Sequence, residues 1–254
     1  MNNILSIENL SIQVGDRTLM KNISFEIREG EVVLLSGENG IGKSSILKSI
    51  MRLESEGKKI GGKIKHHSFG DILSLNEDEL QRFRSSIAYI PQKDEYSDMG
   101  KIQVRDVVSD STEAHKGNYM NYSEVNDLID EWLPRRENNS RIFDAKSRPG
   151  KFSGGEQRLL QVFSAIVARP DADLFIIDEP LNNLDFVNAR CISNLINRVI
   201  REHPKMGVIM ISHCRIFPFI TREIRLTADG IIEDLKPYFC YSCFGKYDEN
   251  GYYR

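Results

Sequence analysis

Nine consecutive residues, 37–45, have the types and spacing of a phosphate-binding loop; they read Gly-Glu-Asn-Gly-Ile-Gly-Lys-Ser-Ser. Glycines let the backbone curl so that its N–H groups point inward, and a helix beginning after the loop adds positive potential where phosphates sit. Lys43 would then reach the outer phosphates, and the Ser44 hydroxyl would bind Mg²⁺. The pattern favours nucleotide binding over the alternative of an ordinary glycine turn.

Two adjacent carboxylates, Asp178 and Glu179, follow the apolar run Leu174-Phe175-Ile176-Ile177. In an open parallel sheet, ligands bind at the carboxyl ends of the strands. At such a place Asp178 can hold Mg²⁺ through water, and Glu179 can polarise an attacking water. The alternative, two acids that cap the following helix, is less favoured beside a phosphate-binding loop.

Three further positions carry polar or small residues next to buried-type segments. Gln92 follows the short strand pattern Ile87–Pro91, and His213 follows the apolar run 206–211. Ser153, Gly154 and Gly155 directly precede a helix, where backbone N–H groups could bind an anion. For His213 two interpretations stay open: a contact to a terminal phosphate, or a histidine with only a structural hydrogen bond.

The elements that must position these residues alternate in type along the chain. Residues 4–28 alternate apolar and polar side chains, which is typical of antiparallel strands, and Glu31–Ser36 has the composition of a buried strand. Between about 93 and 151 the chain becomes more charged and shows helical spacing. We therefore predict an α/β fold with a mostly parallel sheet, an N-terminal antiparallel β flank and an inserted helical subdomain.

The composition of the 254 residues is that of a globular protein, with 40% hydrophobic and 28% charged residues. A formal net charge of −3 and a pI near 6.0 argue against nucleic acid as a partner. No apolar run approaches the roughly 18 residues that span a bilayer, and the N-terminus does not have the pattern of a signal peptide. These features predict a cytosolic location.

Several metal-binding residue types occur outside these motifs. His66 and His67 are adjacent, and since neighbouring residues of a strand point to opposite faces we expect them to make a poor metal pair. We interpret them as surface polar residues. Cys240 and Cys243 form a CxxC half-site in the aromatic tail 237–254. Free thiols are favoured there over a Cys₄ zinc site shared by two tails.

Taken together and in order, these motifs resemble those of the ATP-binding cassette (ABC) ATPases over residues 2–236. Residues 37–45 are similar to the Walker A loop and Gln92 to the Q-loop glutamine. Residues 152–156 resemble the signature motif, Leu174–Glu179 the Walker B strand, 181–185 the D-loop and His213 the switch histidine. The resemblance implies a P-loop NTPase core in one ABC ATPase domain, 1–236, with the helical subdomain at about 93–165 and the tail at 237–254.

The resemblance also implies ATP and Mg²⁺ as cofactors in a head-to-tail dimer, either a homodimer or a heterodimer with a second ABC subunit. The residues implied to bind nucleotide are Gly37, Glu38, Asn39, Gly40, Gly42, Lys43, Ser44, Ser45, Ser153, Gly154, Gly155 and Asp185. Those implied to hold the metal are Ser44, Gln92 and Asp178, and those implied in catalysis are Glu179, His213, Lys43 and Gln92. Ser153 and Gly155 would act on the partner subunit's nucleotide.

The function implied is an ATP-hydrolysing subunit that powers a transporter through integral membrane permease subunits on separate chains. It would be cytoplasmic and peripheral to the cytoplasmic membrane through those partners, with no nucleic acid involved. Two alternatives stay open: a soluble ABC ATPase of the iron–sulfur-cluster-assembly type, and an ATP-gated scaffold. One departure is Val14, which stands where the family usually has an adenine-stacking aromatic residue.

Overall fold

The computed structural model describes residues 2–53, 57–92, 101–116, 119–182, 184–213, 217–227 and 230–235. The predicted tail 237–254, with Cys240 and Cys243, lies outside the described residues. Cys191 is described and half-buried, and burial raises the pKa of its thiol.

A six-stranded sheet forms the centre of the fold. Its strands are β3 (Val32–Gly37), β6 (Ala88–Ile90), β7 (Leu174–Asp178), β8 (Gly207–Ile211), β9 (Arg222–Thr227) and β10 (Gly230–Leu235). The order is β10-β9-β3-β8-β7-β6, and every neighbouring pair is parallel except β9 with β10. All five residues of β7 and of β8 are buried, as expected for strands with both faces covered.

A separate four-stranded antiparallel sheet packs against this central sheet. It contains β1 (Asn3–Val14), β2 (Arg17–Arg28), β4 (Lys58–His66) and β5 (Gly70–Asp71) in the order β2-β1-β4-β5. Buried residues of β1 such as Ile7, Leu10 and Ile12 enter a core that also contains Val33 and Ile209 of the central sheet. The antiparallel flank predicted from the sequence is thus a second sheet that covers one face of the first.

Helices cover the central sheet and connect its strands. They are α1 (Lys43–Ile50), α2 (Glu77–Ser86), α3 (Val104–Lys116), α4 (Tyr122–Trp132), α5 (Gly154–Ala168) and α6 (Phe186–Glu202). Short 3₁₀ turns occupy Ile72–Ser74 and Pro149–Lys151. Capping boxes begin α2, α4 and α5, each with an Asn or Ser side chain at the cap and a Glu three residues later.

The second core joins α3, α4, α5 and α6 to the other face of the central sheet. Val104, Val125 and Phe163 from the helices share it with Phe175 and Ile177 of β7. The predicted α/β class with a mostly parallel sheet, an antiparallel flank and helices in the insert is confirmed. The boundaries of the inserted subdomain stay a prediction. Among the described residues, no helix is both long and apolar enough to cross a membrane.

Candidate functional site

The strand order brings four of the predicted site segments to one edge of the central sheet. The phosphate-binding loop follows β3, His213 follows β8, Glu179 follows β7 and Gln92 follows β6. These four strands are consecutive neighbours and parallel, so their carboxyl ends lie side by side. Segments far apart in the chain therefore meet at the place where open α/β sheets bind ligands.

The loop after β3 depends on glycine at two positions of its backbone. Gly37 has φ 138°, and a Cβ there would lie 2.6 Å from the carbonyl oxygen of Leu226 on β9. Gly42 has φ 104°, and a Cβ there would lie 2.5 Å from the Cε atom of Met20. Both conformations are costly for residues with a side chain, so the tight loop requires the glycines that the motif contains.

Lys43 is the first residue of α1 and folds back over the loop. Its Nζ donates hydrogen bonds to the carbonyl oxygens of Gly37 and Glu38, at 2.9 and 3.0 Å. Only 8% of the residue is exposed. The ammonium group is thereby fixed above the loop, where it can pair with a bound phosphate.

Ser44 and Asp178 meet between the loop and β7, as expected for a shared metal site. The Ser44 hydroxyl donates a 3.1 Å hydrogen bond to Oδ1 of Asp178, while Oδ2 is buried without a hydrogen-bond partner among the described residues. Burial raises the pKa of Asp178 above its ordinary value. A hydroxyl and an unsatisfied carboxylate oxygen are the hard ligands that Mg²⁺ prefers, so these residues fit the metal.

Glu179 and His213 form a pair directly beside this carboxylate. His213 Nε2 lies 2.9 Å from Glu179 Oε1, and the Glu179 amide donates to the carbonyl oxygen of Ile211 on β8. Glu179 has a left-handed backbone, with φ 52°, which is strained for a residue other than glycine. Burial raises the pKa of the Glu179 carboxyl, and the charge of His213 lowers it by a smaller amount. A carboxylate with a raised pKa suits proton transfer near neutral pH.

These groups line a single cavity of about 430 Å³ at the end of the sheet. Its walls are Leu19, Asn39, Gly40, Gly42, Lys43, Ser44, Ser45, Gln92, Glu179 and His213. The cavity thus combines the loop glycines, a cation, a metal-binding hydroxyl and a candidate general base. Leu19 also lines the cavity, although the sequence motifs did not identify it. Val14, which stands where the family usually has an adenine-stacking aromatic residue, is exposed and does not line the cavity.

Six predicted nucleotide-binding residues are not in the wall of this cavity. Gly37 and Glu38 belong to the phosphate-binding loop itself, and the other four lie at the starts of α5 and α6. Ser153 caps α5, where its hydroxyl accepts from the Glu156 amide at 3.3 Å, and Gly154 and Gly155 begin the helix. A Cβ on Gly155 would lie 2.3 Å from the Asn188 side chain, so this glycine is required for the packing of α5 on α6. Asp185 caps α6 through the Asn188 amide, at 2.9 Å. Within one chain these residues have structural roles, and their contact with nucleotide stays a prediction.

Arg158 is a positioning residue that the sequence reading missed. It is buried on α5 and donates to the carbonyl oxygens of Asp178 and Glu179, at 3.0 and 2.9 Å, and of Pro180 and Pro91. One guanidinium therefore ties the helix to the carboxylate segment and to the residue before Gln92. The sequence feature that indicates this role is an arginine among the apolar residues of α5.

The expectation that His66 and His67 point to opposite faces was wrong, and His66 is buried rather than on the surface. Strand β4 ends at His66 and a turn starts at His67, so the alternation of faces does not extend to the second histidine. Both imidazoles instead face Asp173: His66 Nε2 lies 3.3 Å from Oδ1, and His67 Nε2 lies 2.6 Å from Oδ2. Asp173 immediately precedes β7, at the end opposite to the cavity.

Comparison with known proteins agrees with this arrangement. A family model described as ABC transporter matches residues 20–182, which is more than half of the chain. The matched segment includes the phosphate-binding loop, Gln92 and the carboxylates at the end of β7.

Curated relatives match over most of the chain. The Phosphonates import ATP-binding protein PhnC of Fusobacterium nucleatum is 24% identical over 241 residues, covering 91% of this chain and 92% of the relative. The Lipoprotein-releasing system ATP-binding protein LolD of Leptospira interrogans is 26% identical, covering 94% of each. The Manganese transport system ATP-binding protein MntB of Halalkalibacterium halodurans is 28% identical, covering 78% of this chain and 73% of the relative.

Solved structures show the same fold. The dimeric bacterial ABC transporter cassette MJ0796 has a TM-score of 0.73 and 22% identity, covering 93% of this chain and all of that one. The same cassette in a dimeric post-hydrolysis state bound to ADP and Pi has a TM-score of 0.72 and 21% identity, with 93% and 100% covered. At 21–22% identity, these likenesses show that the chain shares the fold of the cassette structures.

Proposed function

The chain belongs to the ABC transporter family, and from this membership we propose that it is the subunit that binds and hydrolyses ATP to power a transporter. The single observation that supports hydrolysis best is the placement of Lys43, Ser44 and Glu179 around one cavity with Asp178 bonded to Ser44. Those groups supply phosphate binding, metal binding and a general base.

The proposed ATP site uses the loop after β3 to bind phosphates. Its N–H groups and Lys43 bind the phosphate oxygens, because glycine backbone and the start of α1 together present positive potential. Ser44 and Asp178 would hold Mg²⁺, with Gln92 on the facing wall of the cavity. When bound, the ion would neutralise charge on the transferred phosphoryl group.

In the proposed hydrolysis Glu179 orients and deprotonates the attacking water. Its raised pKa keeps the carboxylate basic enough to take the proton, and His213 at 2.9 Å fixes the carboxylate in place. Lys43 balances the charge that grows on the phosphoryl oxygens. Arg158 acts through the backbone by fixing the carbonyl groups of Asp178 and Glu179.

We propose that a second subunit completes each site. Ser153 and Gly155 lie at the start of α5 and outside the cavity of their own chain, so they are available to the nucleotide of a partner in a head-to-tail dimer. The dimeric form of the neighbouring cassette structures supports this arrangement. ATP held between two such surfaces would draw the subunits together.

The transport role is proposed from the relatives. All three relatives named above carry names of import, release or transport systems. We propose that closure of the dimer moves permease subunits on separate chains and that these partners hold the chain at the cytoplasmic face of the membrane. The relatives favour this role over an assembly ATPase or a scaffold.

The hydrolysis proposal is tested with Glu179→Gln, which preserves the shape of the residue and removes its basicity. We expect ATP turnover to fall by about 10²–10⁴-fold, while binding of ATP in the presence of Mg²⁺ is retained. The control is Glu137→Gln, the same change at an exposed glutamate, which should leave turnover unchanged. Turnover by Glu179→Gln at the unmodified rate would refute the assignment of the base.

The shared site is tested by mixing two inactive variants. Lys43→Ala removes the phosphate contact of one chain, and Ser153→Arg blocks the start of α5 in the other. In a head-to-tail heterodimer of the two, one site carries both changes and the other carries neither. We expect an equal mixture to recover about a quarter of the parent's activity per chain, because about half of the dimers are heterodimers and one of their two sites is intact. A mixture as inactive as its components, with both variants shown to be folded by thermal denaturation, would contradict a shared site.

The transport role is tested by isolating membranes from cells that express an affinity-tagged chain. We expect the tagged chain to be recovered with an integral membrane protein, and to be released when that partner is absent. Recovery with iron–sulfur-assembly proteins and without any membrane protein would overturn the role.

A further inference from the structure

Three side chains of types that bind metals converge at the end of the central sheet opposite to the nucleotide cavity. They come from segments next to both sheets. They are His66, the last residue of β4, His67 in the turn after it, and Asp173, which precedes β7. One ligand atom from each lies within 4.8 Å of those of the other two. The imidazole rings are 4.7 Å apart between centroids and both face the carboxylate.

The cluster contains two buried polar atoms that face each other without a well-aligned hydrogen bond. His66 Nε2 and Asp173 Oδ1 lie 3.3 Å apart as an ion pair, and in the part of the chain that the structure describes neither atom makes a well-aligned hydrogen bond. The side chain of His66 has no exposed surface. An unsatisfied buried nitrogen and oxygen are costly, and a cation between them would satisfy both.

The spacing matches that of zinc ligands. Zinc binds imidazole nitrogen at about 2.0–2.1 Å and carboxylate oxygen at about 2.0–2.2 Å, so two ligands at the tetrahedral angle are about 3.3 Å apart. His66 Nε2 and Asp173 Oδ1 already have this separation. His67 Nε2 is 2.6 Å from the other carboxylate oxygen, and a small rotation of its ring would open that contact. We propose that His66, His67 and Asp173 form a binding site for Zn²⁺ that joins the two sheets.

The site has an access route for the ion. The side chains of His67 and Asp173 are 45% and 35% exposed and line a cavity of about 600 Å³. Glu29, Asp171 and Glu202 also line that cavity, and their carboxylates favour the approach of a cation. With three protein ligands, the fourth position of a tetrahedral ion would face the cavity and hold water.

Binding requires a change of tautomer at His66. The Ser68 amide lies 3.3 Å from His66 Nδ1 and donates to it, which places the ring hydrogen on Nε2. When Nε2 binds zinc, the hydrogen moves to Nδ1 and this long hydrogen bond is lost. Ser68 belongs to the turn 67–69, so its amide can turn to water at small cost.

The consequence of zinc binding would be a link between the sheets. His67 is fixed to β1 through its amide, which donates to the carbonyl oxygen of Ile4 at 3.0 Å. Asp173 immediately precedes β7, and Asp178 at the other end of that strand is five residues and about 16 Å further along. A zinc ion would therefore tie the antiparallel sheet to the strand that supplies the catalytic carboxylates.

The test is direct zinc binding by the full chain, without nucleotide and with excess Mg²⁺ to saturate weak carboxylate sites. All four cysteines are first replaced by serine, because Cys240 and Cys243 could bind zinc themselves. We expect one zinc ion per chain by metal analysis after gel filtration. At about 100 times its Kd, zinc should raise the Tm by roughly 5–10 °C.

Two variants separate this site from others on the surface. His67→Gln removes a half-exposed ligand, and we expect it to lose the bound zinc and most of the Tm shift. His203→Gln changes another histidine in the wall of the same cavity and should keep both. If His67→Gln is less stable than the parent without metal, Asp173→Asn provides the same comparison.

Co²⁺ gives an independent readout of the ligands. In the cysteine-free chain we expect visible d–d absorption from nitrogen and oxygen ligands that is absent from His67→Gln. The proposal is overturned if the cysteine-free chain binds no stoichiometric zinc, or if His67→Gln and Asp173→Asn bind it as tightly as the parent. None of these measurements depends on ATP hydrolysis, so the result is independent of the proposed function.

Discussion

Replacement of Arg158 by methionine should be among the most damaging single changes on α5. The guanidinium of Arg158 is buried and donates to four backbone carbonyl oxygens and to the Gln161 side chain. Methionine has a similar length but no donor, so the substitution preserves volume and removes only the hydrogen bonds. The buried backbone carbonyl groups of Asp178 and Glu179 would then have lost the hydrogen bonds that Arg158 donates to them.

The size of the effect follows from the number of unsatisfied groups. Each buried acceptor without a partner costs about 1–3 kcal/mol, and partial access of water lowers the sum. We expect Arg158→Met to lower the free energy of unfolding by about 3–5 kcal/mol. At about 2–4 °C per kcal/mol for a chain of this size, the Tm should fall by roughly 6–20 °C. ATP turnover should fall as well, because the carboxylate segment is displaced.

Guanidinium chloride denaturation, followed by circular dichroism, measures this difference. The matched control is Arg169→Met at the end of the same helix. Burial lowers the pKa of Arg169, but it donates one long hydrogen bond, 3.4 Å to the carbonyl oxygen of Ser111. Its replacement should cost about 0–1 kcal/mol. If the two variants were equally stable, the reasoning about Arg158 would be refuted.

Three further predictions concern the nucleotide cavity. Gly37→Ala should lower the free energy of unfolding by about 2–4 kcal/mol, because its Cβ would lie 2.6 Å from a backbone oxygen. In Gly40→Ala no atom lies within 4 Å of the added methyl group, so this variant should lose only about 1 kcal/mol of the free energy of unfolding. Urea denaturation measures both variants, and equal losses for Gly37→Ala and Gly40→Ala would contradict this reasoning. Burial raises the pKa of Asp178 above its ordinary 3.8, so folded protein binds more protons than unfolded protein and stability falls as pH rises through that range. Asp178→Asn should therefore be more stable than the parent at pH 7, and the gain should be absent below the ordinary pKa. A variant that is less stable than the parent at pH 7 would refute the sign. The ATPase rate should rise with pH through the raised pKa of Glu179, since only the ionised carboxylate can accept a proton from water; a rate that falls over the weakly acidic range would contradict this role.

Much of the fold could be predicted because its elements are local patterns. The glycine-rich loop, the buried run before Asp178 and the helix after Ser153 are each specified by a few consecutive residues. These patterns in order identified the α/β class and the family, and the comparisons confirm both. The roles of the site residues stay predictions, although the structure places Lys43, Ser44 and Glu179 around one cavity.

Other features could not be predicted because they depend on contacts between distant segments. Arg158 looked like one arginine in a helix, and its role follows from carbonyl groups about 20 residues further along the chain. The histidine pair was misjudged because strand alternation was extended one residue past the end of β4. Asp173, whose carboxylate pairs with both imidazole rings, lies 106 residues from His67 along the chain.

The sequence by itself therefore determined the elements, their order and the chemistry available at the ends of the strands, since propensity and periodicity act over short distances. The tertiary structure decided which side chains meet, because strand order and sheet packing bring together residues that have no local relation. It placed Glu179 against His213, Arg158 against the backbone carbonyl groups of Asp178 and Glu179, and His66 and His67 against Asp173. It also left Ser153 and Gly155 outside the cavity of their own chain, since the start of α5 lies on a different part of the surface.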